Sequence, residues 1–168
     1  MRRVVPLLLI AAAAGLAVPA GAGAGCTITG TGEDDRLIGT TGSDVLCGRG
    51  GDDFIKGKGG NDIAVGDAGA DVIILGPGRD RGSGGGGQDV VDGNGGPDRL
   101  VGGEKNDVLR GFGGADVLNG GSGRDCLYTV DGVDGNDIAT GGAGNDTHDI
   151  DPGDQISSAE QAGSCAGD

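Results

Sequence analysis

Residues 84–128 read GGGGQDVVD (84–92), GNGGPDRLV (93–101), GGEKNDVLR (102–110), GFGGADVLN (111–119) and GGSGRDCLY (120–128). Each nine carries Asp in its sixth place (Asp89, Asp98, Asp107, Asp116, Asp125) and an aliphatic residue in its eighth (Val91, Leu100, Leu109, Leu118, Leu127), with glycine crowding the first four. A fixed period of this length takes precedence over local secondary-structure signals, because a missed repeat misassigns the whole fold.

The frame runs backwards without insertion to Gly30, adding Asp80, Asp71, Asp62, Asp53, Asp44 and Asp35 in the sixth place. Forwards, Thr129, Val130 and Asp131 interrupt it, and GVDGNDIAT (132–140) and GGAGNDTHD (141–149) resume it with Asp137 and Asp146. The array therefore holds thirteen units and thirteen in-phase aspartates. With 42 glycines in 168 residues, the composition alone would fit a disordered linker. Drift would scatter Asp and the aliphatics over all nine places, so the strict phase argues for a periodic structure instead. Collagen is excluded because glycine does not fall at every third place.

The flanks are of a different kind. Residues 1–24 begin with Arg2 and Arg3, continue through an apolar run and end in small residues, which is the layout of a cleaved signal peptide. The run is short of the ~20 residues that a membrane span needs. Residues 25–29 are expected to cap the array at its start, and residues 150–168, where the period is lost, to cap its end. Without the leader, 10 basic residues face 26 acidic ones, which excludes nucleic acid and anionic membranes as partners. Four cysteines in an exported chain point to two disulfides, for which three connectivities exist. Sequence proximity favours Cys26–Cys47 and Cys126–Cys165, one staple for each end. In a regular stack Cys26 and Cys47 would be offset by three positions, ~10 Å at ~3.3 Å per residue, so the first turn is expected to depart from ideal geometry.

A nine-residue unit with a glycine-rich start and an x-aliphatic-x end makes a turn followed by a short strand, the eighth side chain facing inwards and the seventh and ninth outwards. Two units complete one coil, and stacked coils give an all-β fold of two short parallel sheets with the aliphatics between them. Stacking sets each Asp over the one eighteen residues away, at roughly the 4.8 Å strand spacing. Two carboxylates so placed repel by about 3 kcal/mol at an effective dielectric near 20. One aliphatic per unit contributes ~1.5–3 kcal/mol, against ~1–2 kcal/mol for ordering each backbone residue. Such a stack needs a further source of cohesion. Carboxylates together with glycine-turn carbonyls supply the all-oxygen shell of six to eight ligands that Ca²⁺ takes, whereas Mg²⁺ holds to strict octahedral geometry and its own waters. One histidine and widely separated cysteines give zinc and copper no cluster.

These residues resemble the haemolysin-type, or RTX, calcium-binding repeat, whose pattern is G-G-x-G-x-D-x-U-x. The resemblance covers residues 30–149 and implies a right-handed parallel β-roll, a calcium-stabilised β-solenoid with several Ca²⁺ between its coils, largely unfolded without them. It also implies a metal-ligand role for Asp35, Asp44, Asp53, Asp62, Asp71, Asp80, Asp89, Asp98, Asp107, Asp116, Asp125, Asp137 and Asp146, and for the fourth-place glycines Gly42, Gly51, Gly60, Gly96, Gly114 and Gly144. Some units depart from the pattern. LGPGRDRGS (75–83) has Leu75 first and Gly82 eighth, so this rung is expected to lack its core side chain. Glu33 and Lys105 replace the fourth glycine, Ala64 and Ala139 thin the core, and His148 takes an eighth place near the end as a cap residue rather than a ligand.

No H-E-x-x-H or G-x-S-x-G is present, and the G-x-G-x-x-G at residues 82–87 is what chance gives in a chain this rich in glycine. No stretch is suited to a pore-forming helix. The sequence thus reads as a secreted, extracellular calcium-binding module, structural or adhesive and not an enzyme, and names no protein or polysaccharide partner. The alternative is a calcium-dependent secreted enzyme with an atypical site among the carboxylates.

Overall fold

The computed structural model describes residues 25–132 and 136–157, and the backbone of 161–162. The leader expected over 1–24, and Cys165 with its expected bridge to Cys126, lie outside the described residues.

The short apolar triplet of each unit forms a strand, and the turn that follows reverses the chain towards the opposite sheet. One sheet takes Ile28–Thr29, Val45–Gly50, Ile63–Ala68, Arg81–Gly86, Arg99–Glu104, Val117–Gly123, Ile138–Gly144 and Gln155–Ser157; the other takes Arg36–Ile38, Phe54–Lys56, Val72–Pro77, Val90–Gly95, Val108–Gly113, Cys126–Tyr128, Thr147–Asp149 and Gln161–Ala162. All pairings are parallel, and the register repeats at eighteen residues, as in Val90↔Val108↔Cys126. The chain is thus an all-β solenoid of about seven turns with two parallel sheets. Among the described residues there is no helix, and so none long and apolar enough to cross a membrane.

The core is the eighth-place column from Leu37 to Ala139, almost all of it inaccessible, while the seventh and ninth side chains face outwards. The unit 75–83 corrects the expectation of an empty rung. Leu75, the one first-place residue with a side chain, is fully buried. Its Cδ1 lies 3.2 Å from where a Cβ on Gly82 would stand, and Val91 Cγ1 lies 2.7 Å from that point. The core side chain missing at Gly82 is supplied by Leu75 from the preceding strand, Val72–Pro77.

The triplet Thr129, Val130, Asp131 is absorbed at a turn, so the register steps from eighteen to twenty-one (Leu118↔Ala139) without breaking either sheet. Thr129 is buried and its hydroxyl donates to Asp154 Oδ2 at 2.9 Å. The tail does more than cover the last rung, since Gln155–Ser157 pairs in register with Ile138–Thr140. At the other end Cys26 and Cys47 form a disulfide with Cα atoms 5.9 Å apart. The register is regular from Ile28↔Leu46 onwards, and the departure needed to join the two cysteines is a bend at Thr27 that folds Cys26 back along its neighbour.

Candidate metal centre

The thirteen in-phase aspartates stand at the corners of the solenoid, each just ahead of its strand, in two columns. Backbone geometry sets what each carboxylate meets. Oδ1 of every aspartate from Asp53 to Asp146 accepts the backbone N–H of the aspartate one turn earlier, at 2.7–2.9 Å, beginning with Asp35 N to Asp53 Oδ1 and ending with Asp125 N to Asp146 Oδ1. The carboxylate therefore serves the stack with one oxygen.

The other oxygen is left over. Oδ2 of Asp53, Asp62, Asp71, Asp80, Asp89, Asp98, Asp107, Asp116, Asp125, Asp137 and Asp146 is buried without a hydrogen-bond partner. In nine of the eleven it points at the first-place glycine of its own unit, and in six of these a carbonyl oxygen arrives as well; the unit of Asp80 has Leu75 in that place, and Gly132, ahead of Asp137, has nothing within 4 Å. A Cβ on Gly93 would stand 2.5 Å from Asp98 Oδ2 and 2.9 Å from the carbonyl oxygen of Gly111; on Gly120 it would stand 2.5 Å from both Asp125 Oδ2 and the Gly141 carbonyl oxygen. First-place glycine is thus demanded by close approach, not by backbone conformation. The second and fourth places are the ones that need positive φ: Gly96 (φ 110°) and Gly114 (φ 148°) in the fourth, and in the second even Asn94 (φ 79°) and Phe112 (φ 66°).

Converging acceptors with no hydrogen between them are reconciled by a cation or a proton. Burial is the largest cause of the carboxyl perturbation, ahead of the amide hydrogen bond that opposes it and the neighbouring carboxylates that add to it. It pushes Asp107 up to about 7, and Asp53, Asp89, Asp98, Asp116, Asp125 and Asp137 up to about 6. Asp62, Asp71 and Asp80 move in the same direction for the same leading reason. Repulsion between stacked charges was the main cost expected from the repeat. The structure places it in desolvation, because the amide bond separates the carboxylates and the coil buries them. Among the described residues no three His, Cys, Asp or Glu side chains converge on one point. Any shell must be completed by main-chain oxygen, which suits a hard cation of calcium's size.

Asp35 and Asp44 differ. Their units carry Thr in the second place, and the N–H and hydroxyl of Thr31 both donate to Asp35 Oδ2, as those of Thr40 do to Asp44 Oδ2 (hydroxyl to carboxylate 2.9 Å in each). The expected ligand oxygens of these two residues are already occupied by protein donors. Their turns differ too: Gly42 is exposed and outside the positive-φ set to which Gly51, Gly60, Gly96, Gly114 and Gly144 belong, and its N–H donates to Thr40 Oγ1. Fourth-place glycines stack at contact, and a Cβ on Gly60 would lie 2.5 Å from the Gly42 carbonyl carbon.

Two features escaped the sequence reading. Asp154 continues one column, since its Oδ1 accepts the Asp137 N–H at 3.2 Å; its signal was Gly153-Asp154-Gln155-Ile156-Ser157, a unit shortened by one residue between glycine and aspartate. The fifth place carries a ladder of its own, running in the opposite sense: Asp34 Oδ1 accepts from Asp52 N, and Asp52 Oδ1 from Ala70 N.

A family model of the RTX calcium-binding nonapeptide repeat matches in four copies, over residues 29–64, 56–91, 92–125 and 129–147. Comparison with curated proteins gives no match.

Proposed function

The chain belongs to the RTX calcium-binding nonapeptide-repeat family, and on that premise we propose that it is an exported protein that becomes a rigid solenoid by taking up several Ca²⁺ ions outside the cell. The observation that carries this reading is the row of eleven buried, unpartnered Asp Oδ2 atoms, six of which (Asp53, Asp62, Asp71, Asp98, Asp107 and Asp125) face a first-place glycine that a carbonyl oxygen also approaches. Asp53 through Asp146 would hold the ions with oxygens of the glycine turns, Gly51, Gly60, Gly96, Gly114 and Gly144 keeping adjacent turns close enough to share one. Calcium supplies the positive charge that offsets carboxylate burial, so binding free energy becomes folding free energy. The protein's own part is to present one lone pair to each amide and the other to the site.

Export is supported by the leader-like residues 1–24 and by the Cys26–Cys47 disulfide, which suits an oxidising compartment. The repeat array accounts for the in-phase acids as scaffold, so the role we assign is structural or adhesive and not catalytic. Far-UV circular dichroism of the mature chain during a Ca²⁺ titration tests the proposal. A mostly disordered chain in chelator that turns β-rich in millimolar Ca²⁺, with Mg²⁺ much less effective, is expected; a spectrum indifferent to chelation refutes it.

A further inference from the structure

One stretch of surface runs against the acidic character of the chain. Along the first sheet the outward seventh-place column reads Val45, Ile63, Arg81, Arg99, Val117, Ile138. Arg81 and Arg99 are direct register partners, both exposed. Side chains so paired stand about 5 Å apart, where like charges destabilise a sheet. Arg79, exposed in the fifth place of the unit that holds Arg81, adds a third cation to the corner. Among the described residues the one ion pair is Arg110–Asp92, on the other sheet. The acids nearest the arginines in sequence turn inwards: Asp80 and Asp98 are 1 % and 3 % exposed, and Asp98 Oδ1 accepts the Asp80 N–H.

The corner is open for a local reason. On this edge the fifth-place side chain accepts the N–H one turn later, Ser43 Oγ from Asn61 N at 3.1 Å and Asn61 Oδ1 from Arg79 N at 2.9 Å. Arg79 cannot accept, Pro97 has no N–H to give, and Ala115 brings no polar side chain. The ladder stops at Arg79. Beyond it a groove of about 390 Å³ crosses three turns, lined by the cations Arg79, Arg81 and Arg99, by the apolar Pro97, Ala115 and Val117, and by the almost fully buried Asp80 and Asp98.

We infer that this groove binds an anionic oligosaccharide whose charged groups recur at about the strand spacing, gripped by Arg81 and Arg99, with Arg79 at its end and sugar rings against Pro97 and Ala115. A guanidinium fork takes a carboxylate or sulfate bidentately. A groove of this volume holds a short ligand, and the apolar wall meets the C–H face of a ring. A polyphosphate has no such face and would strip calcium from the fold. The inference rests on the calcium-loaded solenoid proposed above, though not on which aspartates hold the ions.

The test uses the mature chain in millimolar Ca²⁺, with circular dichroism of each sample recorded alongside calorimetric titration. The probes are a galacturonate hexamer, bearing carboxylates, a heparin-derived hexamer, bearing sulfates, and neutral maltohexaose. Saturable binding of at least one anionic probe and none of the neutral one is expected; since the heparin hexamer carries carboxylates as well, tighter binding of it marks sulfate, and equal or tighter binding of the galacturonate hexamer marks carboxylate. Arg81→Gln and Arg99→Gln should each weaken binding roughly tenfold, as for the loss of about 1.4 kcal/mol, and together abolish it. Arg110→Gln should leave it unchanged. Folded wild-type protein that takes up neither anionic probe, equal uptake of maltohexaose, or equal weakening by Arg110→Gln overturns the inference. Failure of the underlying calcium reading shows separately, as an unfolded spectrum in calcium, and removes the groove with it.

Discussion

Asp89 donates its backbone N–H to Oδ1 of Asp107 at 2.9 Å, one turn further along, while Oδ2 of Asp107 has no hydrogen-bond partner. One residue thus couples two turns and still presents an unsatisfied buried oxygen. Asp107→Asn keeps the amide acceptor and removes the charge. Its calcium midpoint should rise by roughly three- to tenfold, about 1 kcal/mol, while its disorder in chelator lessens because no charge is desolvated. Calcium titrations followed by circular dichroism check both signs.

The Thr31 and Thr40 turns should behave differently. Asp44→Asn is expected to leave the number of bound calcium ions unchanged, whereas Asp98→Asn lowers it, as read by equilibrium dialysis. Thr40→Val removes a hydroxyl bond to a carboxylate, worth ~1.5–3 kcal/mol, and should loosen amide-exchange protection chiefly around the first turns. A fall in stoichiometry for Asp44→Asn would show that the threonines do not substitute for metal.

Acidity should act in opposite directions with and without calcium. In the metal-free fold the carboxyls of Asp53, Asp89, Asp98, Asp107, Asp116, Asp125 and Asp137 sit at about 6 to 7, above the ordinary 3.8. A raised carboxyl favours the folded state below its unfolded value and loses that contribution as pH climbs through 6 to 7. In chelator, lowering the pH from 8 to 5 should therefore increase β structure. In calcium the same protons compete with the ion, and the midpoint should rise. Loss of structure on acidifying the chelated chain would contradict the assignment.

Leu75 and Gly82 form a compensating pair. Leu75→Ala empties a fully buried site and should cost about 2–5 kcal/mol. Gly82→Leu alone should also destabilise, since a Cβ there would stand 2.7 Å from Val91 Cγ1. The double exchange Leu75→Gly with Gly82→Leu restores the common unit and should recover most of the loss; thermal unfolding in calcium of the three variants decides it.

The period of nine, by itself, determined the solenoid, its parallel sheets, the eighth-place core and the two aspartate columns, because each unit has one arrangement that buries its aliphatic residue and stacks on its neighbours. The Cys26–Cys47 staple was also legible, its three-position offset resolved by a bend at Thr27. What only the tertiary structure decided was how each carboxylate divides its two oxygens. Asp35 and Asp107 occupy the same place in their units, yet one Oδ2 meets Thr31 and the other meets no donor. That difference depends on a second-place side chain folding back across the turn. Leu75 reaching into the rung of Gly82 and Asp154 closing a column from a shortened unit are of the same kind. Each is a contact between residues whose separation or phase departs from the repeat, and only the stacked backbone brings such residues together.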